Sequence, residues 1–397
     1  DRSSSVSLPE VPLLGVLPGT GGLTRVIDKR KVRRDLADVF CSTSEGVRAE
    51  RAKKWGLVDE IAKPNMFDEA RNQLISKLTS QSKRPNEAVG VNLTKLDRTM
   101  DNDGIHYSTI DVDINRASRT ASITIKAPPA SLSADLNSIL KAGASWWPLT
   151  FARELDDTIL LLRTNELEIG TWIFRTSGRV TDVLEMDRIL NKHQENWFVK
   201  ETLGYLRRTL ARLDVSSRTI FSLIDEDSCF AGTLFEIALS SDRVFMLSET
   251  ENGTKPNIAL SILNFGSFPM VNHLTRLQNR FYGHEDQLEV LTPIEGQLLN
   301  AEEALELGLV TFAPDDIDWD DEIRIALEER SSLSPDALSG MEANLRFAGP
   351  ETMETRIFAR LSAWQNWIFI RPNAVGKQGA LKVFGSGKKP AFSWPRI

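Results

Sequence analysis

The sequence is poor in cysteine and histidine. Its 397 residues include two cysteines, Cys41 and Cys229, and four histidines. Two distant cysteines cannot form the disulfide framework of a secreted domain, so we expect a reducing, cytoplasmic location. The histidines are scattered without the spacing of metal ligands, and neither cysteine has a second cysteine or a histidine near it in sequence. The sequence therefore predicts no metal site.

Long apolar runs and an excess of positive charge are also missing. Strongly apolar runs such as residues 159–162 fall far short of the roughly 20 residues that a membrane-spanning helix needs. Lysine and arginine number 48 against 55 aspartates and glutamates, a net charge of −7. This balance disfavours binding of nucleic acid by broad phosphate neutralisation. We therefore expect neither a membrane nor a nucleic acid as partner.

What the sequence does contain is an internal repeat. Residues 48–58 and residues 300–310 share six identities at an offset of 252. Upstream, residues 23–25 match residues 274–276 at an offset of 251, and residues 9–11 fall on residues 256–258 at an offset of 247. Gly19 falls on Gly266 at that same offset of 247. Matches in the same order indicate a duplicated unit.

The repeat also predicts that the first copy is incomplete. The second copy begins near Ile105, and 257 − 105 places this start 152 residues before Asn257. A first copy of equal length would begin 152 residues before Glu10, at 10 − 152 = −142. We therefore expect on the order of 140 residues to precede Asp1 in the parent protein.

Hydrophobic periodicity and turn residues predict an α/β architecture. Residues 7–17 are expected to be irregular, and a helix is expected over residues 20–32. Further predicted helices cover residues 49–55, 66–80, 151–163, 184–193, 197–212 and 231–240. The predicted strands cover residues 105–114, 120–127, 168–175, 219–225 and 243–247. The last 65 or so residues are expected to be helical up to Ile370.

Two motifs resemble those of the crotonase (enoyl-CoA hydratase/isomerase) superfamily. Residues 8–25 are similar to the second active-site stretch of that family, in which a Pro-Glu pair precedes a Gly-rich turn. Residues 49–60 are similar to its later A-E-x-A-x-x-x-G-L-V-D segment, and the spacing between the two stretches also matches. The resemblance covers the first 80 residues closely and residues 105–330 loosely.

The repeat and the resemblance together imply an α/β fold of tandem crotonase (ββα superhelix) units. Residues 1–100 are expected to be the C-terminal part of a first, catalytic unit, which is only partial. Residues 101–330 are expected to form a second, degenerate unit. Residues 331–397 are expected to form a helical extension with a basic tail.

Glu10 matches the glutamate that follows proline in the family motif, which implies a catalytic role. Thioester chemistry of this type develops an enolate oxyanion and needs carboxylates to move protons. The residues around Glu10, such as Leu8 and Val11, are apolar, so we expect desolvation to raise its pKa and suit it to general acid/base work. The alternative is a surface carboxylate in a Pro-rich loop.

Gly19 matches the glycine whose backbone N–H helps hold the reacting water in that family. Residues 19–22 can let bare backbone approach a ligand where a helix begins. A simple tight turn before a helix is the alternative. The second catalytic glutamate and the oxyanion-hole loops of the first unit are expected in the segment that precedes Asp1.

The second copy departs from the family pattern at each catalytic position. Glu236 matches the first glutamate of the family, but Asn257 stands in place of the second. Thr233 and Leu234 stand where relatives have glycines, and the upstream loop near Gly178 lacks its second glycine. We therefore predict a catalytically silent scaffold in which Glu236 is a structural hydrogen-bonding group.

The tandem arrangement and the C-terminal tail resemble a ring-opening branch of the superfamily. This resemblance implies a lyase that converts a 2,3-epoxy or dihydrodiol benzoyl-CoA and water into an aliphatic semialdehyde CoA thioester and formate. Its partner would be the acyl-CoA thioester, with no separate cofactor because CoA is part of the substrate, and a homo-oligomer is expected. Two alternatives remain open: a fatty-acid enoyl-CoA hydratase or isomerase, and a scaffold that is inactive in the form given.

The basic clusters are open to two interpretations. Residues 29–34 hold five basic residues, and four lysines lie between residues 377 and 389. They could contact the phosphates of CoA, or they could be solvated surface that aids solubility.

Overall fold

The computed structural model of the protein describes residues 4–84, 87, 89–250 and 252–396. The chain divides between residues 88 and 89 into two compact units. The three-part division expected from the sequence stays a prediction.

The first unit is mainly helical. Its two short strands pair in antiparallel fashion, with Val6 opposite Val47. The strands are β1 (Ser5–Val6) and β2 (Val47–Arg48). The helices are α1 (Gly22–Asp28), α2 (Arg34–Ser42), α3 (Ala49–Lys54) and α4 (Phe67–Ser80). A small core gathers the apolar residues of these elements: Val26, Val32, Ala37, Phe40, Val47 and Ala52.

Two predictions for the first unit are wrong in part. Residues 7–17 are not wholly irregular, because Glu10–Leu14 form a π-helical turn. The helix predicted over residues 20–32 ends at Asp28, since the backbone of Lys31 adopts a left-handed conformation with a φ of 56°. The helices predicted near α3 and α4 are confirmed, and Gly56 follows α3 with a φ of 77°, as a glycine at the end of a helix commonly does.

The second unit is built around a seven-stranded sheet in which the strands follow chain order. Its strands are β3 (Thr99–Met100), β4 (Gly104–His106), β5 (Ile110–Asn115), β6 (Thr120–Lys126), β7 (Thr171–Ser177), β8 (Thr219–Ile224) and β9 (Arg243–Met246). β3 to β6 are antiparallel, and β6 to β9 are parallel. All six residues of β8 are buried, as expected for a parallel strand covered on both faces.

Helices connect the parallel strands and continue after them. Those between β6 and β9 are α5 (Leu136–Ala142), α6 (Trp147–Asn165), α7 (Val180–Lys192), α8 (Trp197–Asp214) and α9 (Gly232–Ser240). Those after β9 are α10 (Arg276–Arg280), α11 (Asp286–Leu291), α12 (Ala301–Glu306), α13 (Trp319–Ser332), α14 (Pro335–Leu345), α15 (Met353–Thr355), α16 (Ser362–Ile368), α17 (Pro372–Val375) and α18 (Ala380–Val383). A π-helical segment, Arg356–Leu361, joins α15 to α16. The predicted α/β architecture is confirmed.

None of the helices formed by the described residues is long and apolar enough to cross a membrane.

Candidate functional site

Glu10 is the first residue of the π-helical turn in the first unit. Its carbonyl accepts a hydrogen bond from the N–H of Val16 at 3.2 Å, and Gly15 closes the turn with a φ of 64°. The side chain of Glu10 is half-buried, and its Oε2 atom is buried without a hydrogen-bond partner among the described residues. A buried polar atom without a partner costs free energy, so this oxygen is available to a ligand or a water molecule.

The apolar residues around Glu10 do not enclose it within the described part of the first unit. Val11, Leu13 and Leu14 are 41%, 65% and 68% exposed. Leu8, by contrast, packs against the small core. Of these four apolar neighbours, Leu8 is therefore the one that packs against the core.

Gly19 lies at the other end of this exposed apolar stretch. A Cβ atom built at Gly19 would have only the carbonyl oxygen of Leu17 near it, at 4.0 Å. In the same turn, Gly21 has a φ of 98°, and a Cβ at Gly22 would come within 2.9 Å of the Pro18 ring. The turn itself therefore requires glycine at residues 21 and 22, whereas at residue 19 the absent side chain leaves open space beside the backbone.

Cys41 is a neighbour of Glu10 that sequence reasoning missed. Burial raises the pKa of the Cys41 thiol, and the charges of Asp38 and then Glu10 raise it further. The thiol therefore stays protonated near neutral pH. Cys41 lies on α2, which the sequence analysis did not predict, and no motif spacing connects the two residues.

Part of the basic cluster in the first unit is committed to internal contacts. Arg30 donates to the carbonyl of Gly56 at 2.8 Å and to Asp59 at 3.0 Å. Arg33 forms two hydrogen bonds with the Asp35 carboxylate, at 2.6 and 2.7 Å. These arginines contribute to local structure, and a contact between the cluster and CoA stays a prediction.

In the second unit, Glu236 is fully committed to a buried ion-pair network. It lies on α9, is 1% exposed, and accepts a hydrogen bond from the Asn264 amide at 2.7 Å. Arg276 donates to Glu236 at 2.8 Å and to Asp214 at 2.7 Å. Burial raises the pKa of Glu236, and the charge of Arg276 opposes that rise. The carboxylate thus has the partners of a structural group.

The N-terminus of α9 is occupied by a carboxylate of the chain itself. Asp187, on α7, accepts hydrogen bonds from the backbone N–H of Thr233 at 2.8 Å, from the Thr233 hydroxyl at 2.6 Å and from the Ser261 hydroxyl at 2.6 Å. A Cβ at Gly232 would lie 1.9 Å from Asp187 Oδ2. Burial raises the pKa of Asp187 to about 6. A helix N-terminus favours an anion, and here an internal anion already fills that place.

The other residues of the second unit that match positions of the family motifs also have internal contacts. The side-chain amide of Asn257 donates to the backbone carbonyl of Lys255 at 3.0 Å. Leu184 and Leu234 are both buried in the main core. Among the described residues there is no group of three or more His, Cys, Asp and Glu side chains that could hold a metal ion.

Comparison with known proteins identifies the family of this chain. The chain is 57% identical over 397 residues to a benzoyl-CoA-dihydrodiol lyase of Aromatoleum evansii, and the match covers 100% of this chain and 71% of the relative. A search of family models finds no match.

Solved structures establish the fold. An enoyl-CoA hydratase/isomerase from Cupriavidus metallidurans CH34 shares 16% identity with a TM-score of 0.52, covering 77% of this chain and 100% of that chain. An enoyl-CoA hydratase from Bacillus anthracis shares 15% identity with a TM-score of 0.51, covering 72% and 99%. At this identity the likeness shows the fold alone. The predicted crotonase fold is confirmed.

Proposed function

Because this chain belongs to the benzoyl-CoA-dihydrodiol lyase family, we propose that it opens the ring of an oxygenated benzoyl-CoA. The substrate is the 2,3-epoxy or dihydrodiol form, and the reaction consumes water and yields an aliphatic semialdehyde CoA thioester and formate. The 57% identity over the whole chain is the observation that carries this proposal. No separate cofactor is needed, because CoA is part of the substrate.

Glu10 supplies one of the acid/base carboxylates of this reaction. Opening the ring requires protons to be removed from water and delivered to the leaving and receiving atoms, and a positioned carboxylate can do both. The buried Oε2 atom of Glu10 supports this role, since it has no partner among the described residues. The Oε2 atom accepts a proton from the reacting water and returns it later in the cycle.

Gly19 positions the reacting water through its backbone N–H. The open space beside its backbone supports this role, because a side chain there would occupy the approach of the ligand. The turn does not itself require glycine at this position, in contrast to Gly21 and Gly22.

The second unit takes no part in the chemistry. Asp187 fills the N-terminus of α9, and Arg276 neutralises Glu236. An enolate oxygen would meet the Asp187 carboxylate where it needs N–H donors, and two anions at that place repel each other. The acyl-CoA site is therefore assigned to the first unit.

The rival function is that of a fatty-acid enoyl-CoA hydratase or isomerase. The hydratase structures above share only 15% and 16% identity with this chain, whereas the lyase shares 57%. The rival is therefore not favoured. A cytoplasmic location and self-association complete the proposal.

A substrate comparison tests this function. The full enzyme is supplied with 2,3-epoxybenzoyl-CoA or with crotonyl-CoA, and formate release and hydration are measured. We expect formate and an aldehyde from the first substrate and a far lower kcat/KM for hydration of the second. Efficient hydration of crotonyl-CoA without formate release from the epoxide would overturn the proposal.

A further inference from the structure

A polar cavity of about 320 Å³ lies in the second unit, beside the C-terminal end of α9. α10 and α14 form much of its wall. The charged residues that line it are four arginines and three acids: Asp214, Asp242, Arg276, Arg280, Arg330, Glu342 and Arg346. The proposed acyl-CoA chemistry uses none of them.

The three acids already have cationic partners. Each forms an ion pair with an arginine at 2.7 to 3.0 Å: Asp214 with Arg276, Asp242 with Arg346, and Glu342 with Arg396. Arg276 and Arg346 are therefore compensated, since each has a carboxylate at hydrogen-bond distance. The other two arginines of the cavity wall, Arg280 and Arg330, have no carboxylate at hydrogen-bond distance among the described residues.

Arg330 is the more deeply buried of these two. It is 7% exposed, and its guanidinium donates no side-chain hydrogen bond to any described residue. Its nearest carboxylate is that of Glu342, at 3.7 Å, beyond hydrogen-bond distance. The ring of Phe221 lies 5.7 Å from the guanidinium carbon. Burial lowers the pKa of Arg330, although Glu342 opposes that effect.

Arg280 has one hydrogen bond and no ion pair. Its Nε donates to the carbonyl of Gly308 at 2.6 Å, and no carboxylate of the described chain lies within 4.0 Å of its guanidinium. Burial lowers its pKa as well. Arg280 thus has no carboxylate partner among the described residues, and Arg330 has one only at 3.7 Å, so an anion in the cavity would stabilise both guanidinium groups.

We propose that this cavity binds a small oxyanion, a phosphate group, between Arg280 and Arg330. Guanidinium groups present several N–H donors in a plane and pair with phosphate in a bidentate manner. The cavity has the volume of about ten water molecules at roughly 30 Å³ each, which accommodates a phosphate group with its hydration. The phosphate comes either from the free anion or from a nucleotide. The inference is independent of the ring-opening function.

Binding of inorganic phosphate to the enzyme provides the first test. Calorimetry and thermal unfolding are performed with phosphate, with adenosine 3′-phosphate, and with chloride at equal ionic strength. We expect phosphate to raise the Tm, because a ligand that binds only the folded state stabilises it. If adenosine 3′-phosphate raises the Tm and inorganic phosphate does not, the ligand is the phosphate group of a nucleotide. Failure of both phosphates to bind more tightly than chloride overturns the proposal.

Variants assign the binding to the cavity. Arg280→Gln and Arg330→Gln should weaken phosphate binding at least tenfold, whereas Arg280→Lys should weaken it less because it keeps the charge. Arg324→Gln is the matched control, because Arg324 lies exposed on α13 and pairs only with Asp321 and Glu328. Equal binding by Arg280→Gln and the control overturns the proposal.

A third measurement does not depend on the folding of any variant. Crystals of the unaltered enzyme are soaked in tungstate, a phosphate analogue with strong anomalous scattering. Anomalous density between the two guanidinium groups supports the site. Density that appears only elsewhere on the protein overturns it.

Discussion

The carboxylate of Asp187 accepts a hydrogen bond from the backbone N–H of Thr233 at 2.8 Å, across the first turn of α9. The two residues are 46 positions apart in the sequence and lie on different helices. This contact places a carboxylate of the chain itself at the N-terminus of α9. We expect this contact to keep the second copy catalytically silent.

Replacement of Asp187 should destabilise the protein without reducing turnover. Asp187→Ala leaves the Thr233 N–H and the hydroxyls of Thr233 and Ser261 without their acceptor. Unsatisfied buried donors cost about 1–3 kcal/mol each before relaxation, so we expect a loss of about 3 kcal/mol. Urea unfolding and formate release measure the two effects. Glu185→Gln, on the exposed face of α7, is the control and should change neither. A hundredfold loss of kcat in a folded Asp187→Ala protein would show that the second copy contributes to catalysis.

The pKa of Asp187 predicts how stability changes with pH. In the folded protein it is about 6, above the value of 3.8 for an unperturbed carboxyl. The folded state therefore holds this proton more tightly, and its contribution to stability is present below pH 4 and lost as the pH rises through 6. We expect the difference in unfolding free energy between wild type and Asp187→Asn to fall by about 3 kcal/mol from pH 3 to pH 7. A difference in unfolding free energy that does not change with pH would contradict the raised pKa of Asp187.

The network around Arg276 predicts unequal effects of two substitutions. Arg276→Met leaves Glu236 and Asp214 as buried charges without their shared partner, which should cost about 3–5 kcal/mol. Glu236→Gln keeps the Arg276–Asp214 pair and removes one charge-assisted bond, which should cost about 1.5–3 kcal/mol. Turnover of Glu236→Gln should remain near that of the wild type. If instead Glu236→Gln unfolds like wild type but loses turnover, the glutamate is catalytic.

The proximity of Cys41 to Glu10 predicts its reactivity. Because its pKa is raised by burial, Asp38 and Glu10, Cys41 should react more slowly with iodoacetamide at pH 8 than an unperturbed thiol. Glu10→Gln removes one of these causes and should modestly speed the reaction. Glu50→Gln, an exposed site on α3, should leave the rate unchanged. The pH dependence of alkylation of Cys41, followed by mass spectrometry, checks this. An identical rate profile in wild type and Glu10→Gln would place the two residues too far apart to interact.

The sequence predicted the regular elements better than the contacts between them. The hairpin of β5 and β6 and the buried strand β8 follow from residue patterns, and α3 ends at Gly56 as its glycine indicates. α2 was missed because it begins after the left-handed Lys31, a turn that hydrophobic periodicity does not reveal. β3 lies outside the predicted strands, because a two-residue exposed strand carries almost no pattern.

The candidate site shows the same contrast between local patterns, which the sequence reveals, and contacts between elements, which it does not. Glu10 and Gly19 are candidates that motif spacing alone identifies, since the spacing of residues within a motif is a local property of the chain. The contact between Asp187 and Thr233 could not be found in this way, because it depends on the packing of α7 against α9. The lack of glycines at residues 233 and 234 predicts a silent second copy, and this stays a prediction.

The most direct measurement is formate release from 2,3-epoxybenzoyl-CoA by the Glu10→Gln enzyme, with Glu50→Gln as the matched control in the same unit. A positioned acid/base contributes typically 10²–10⁴-fold to the rate. We expect kcat of Glu10→Gln to fall within that range, with its circular dichroism and Tm unchanged. Glu50→Gln should keep wild-type turnover. Turnover of Glu10→Gln within about threefold of the wild type would contradict the assignment of Glu10 as an acid/base.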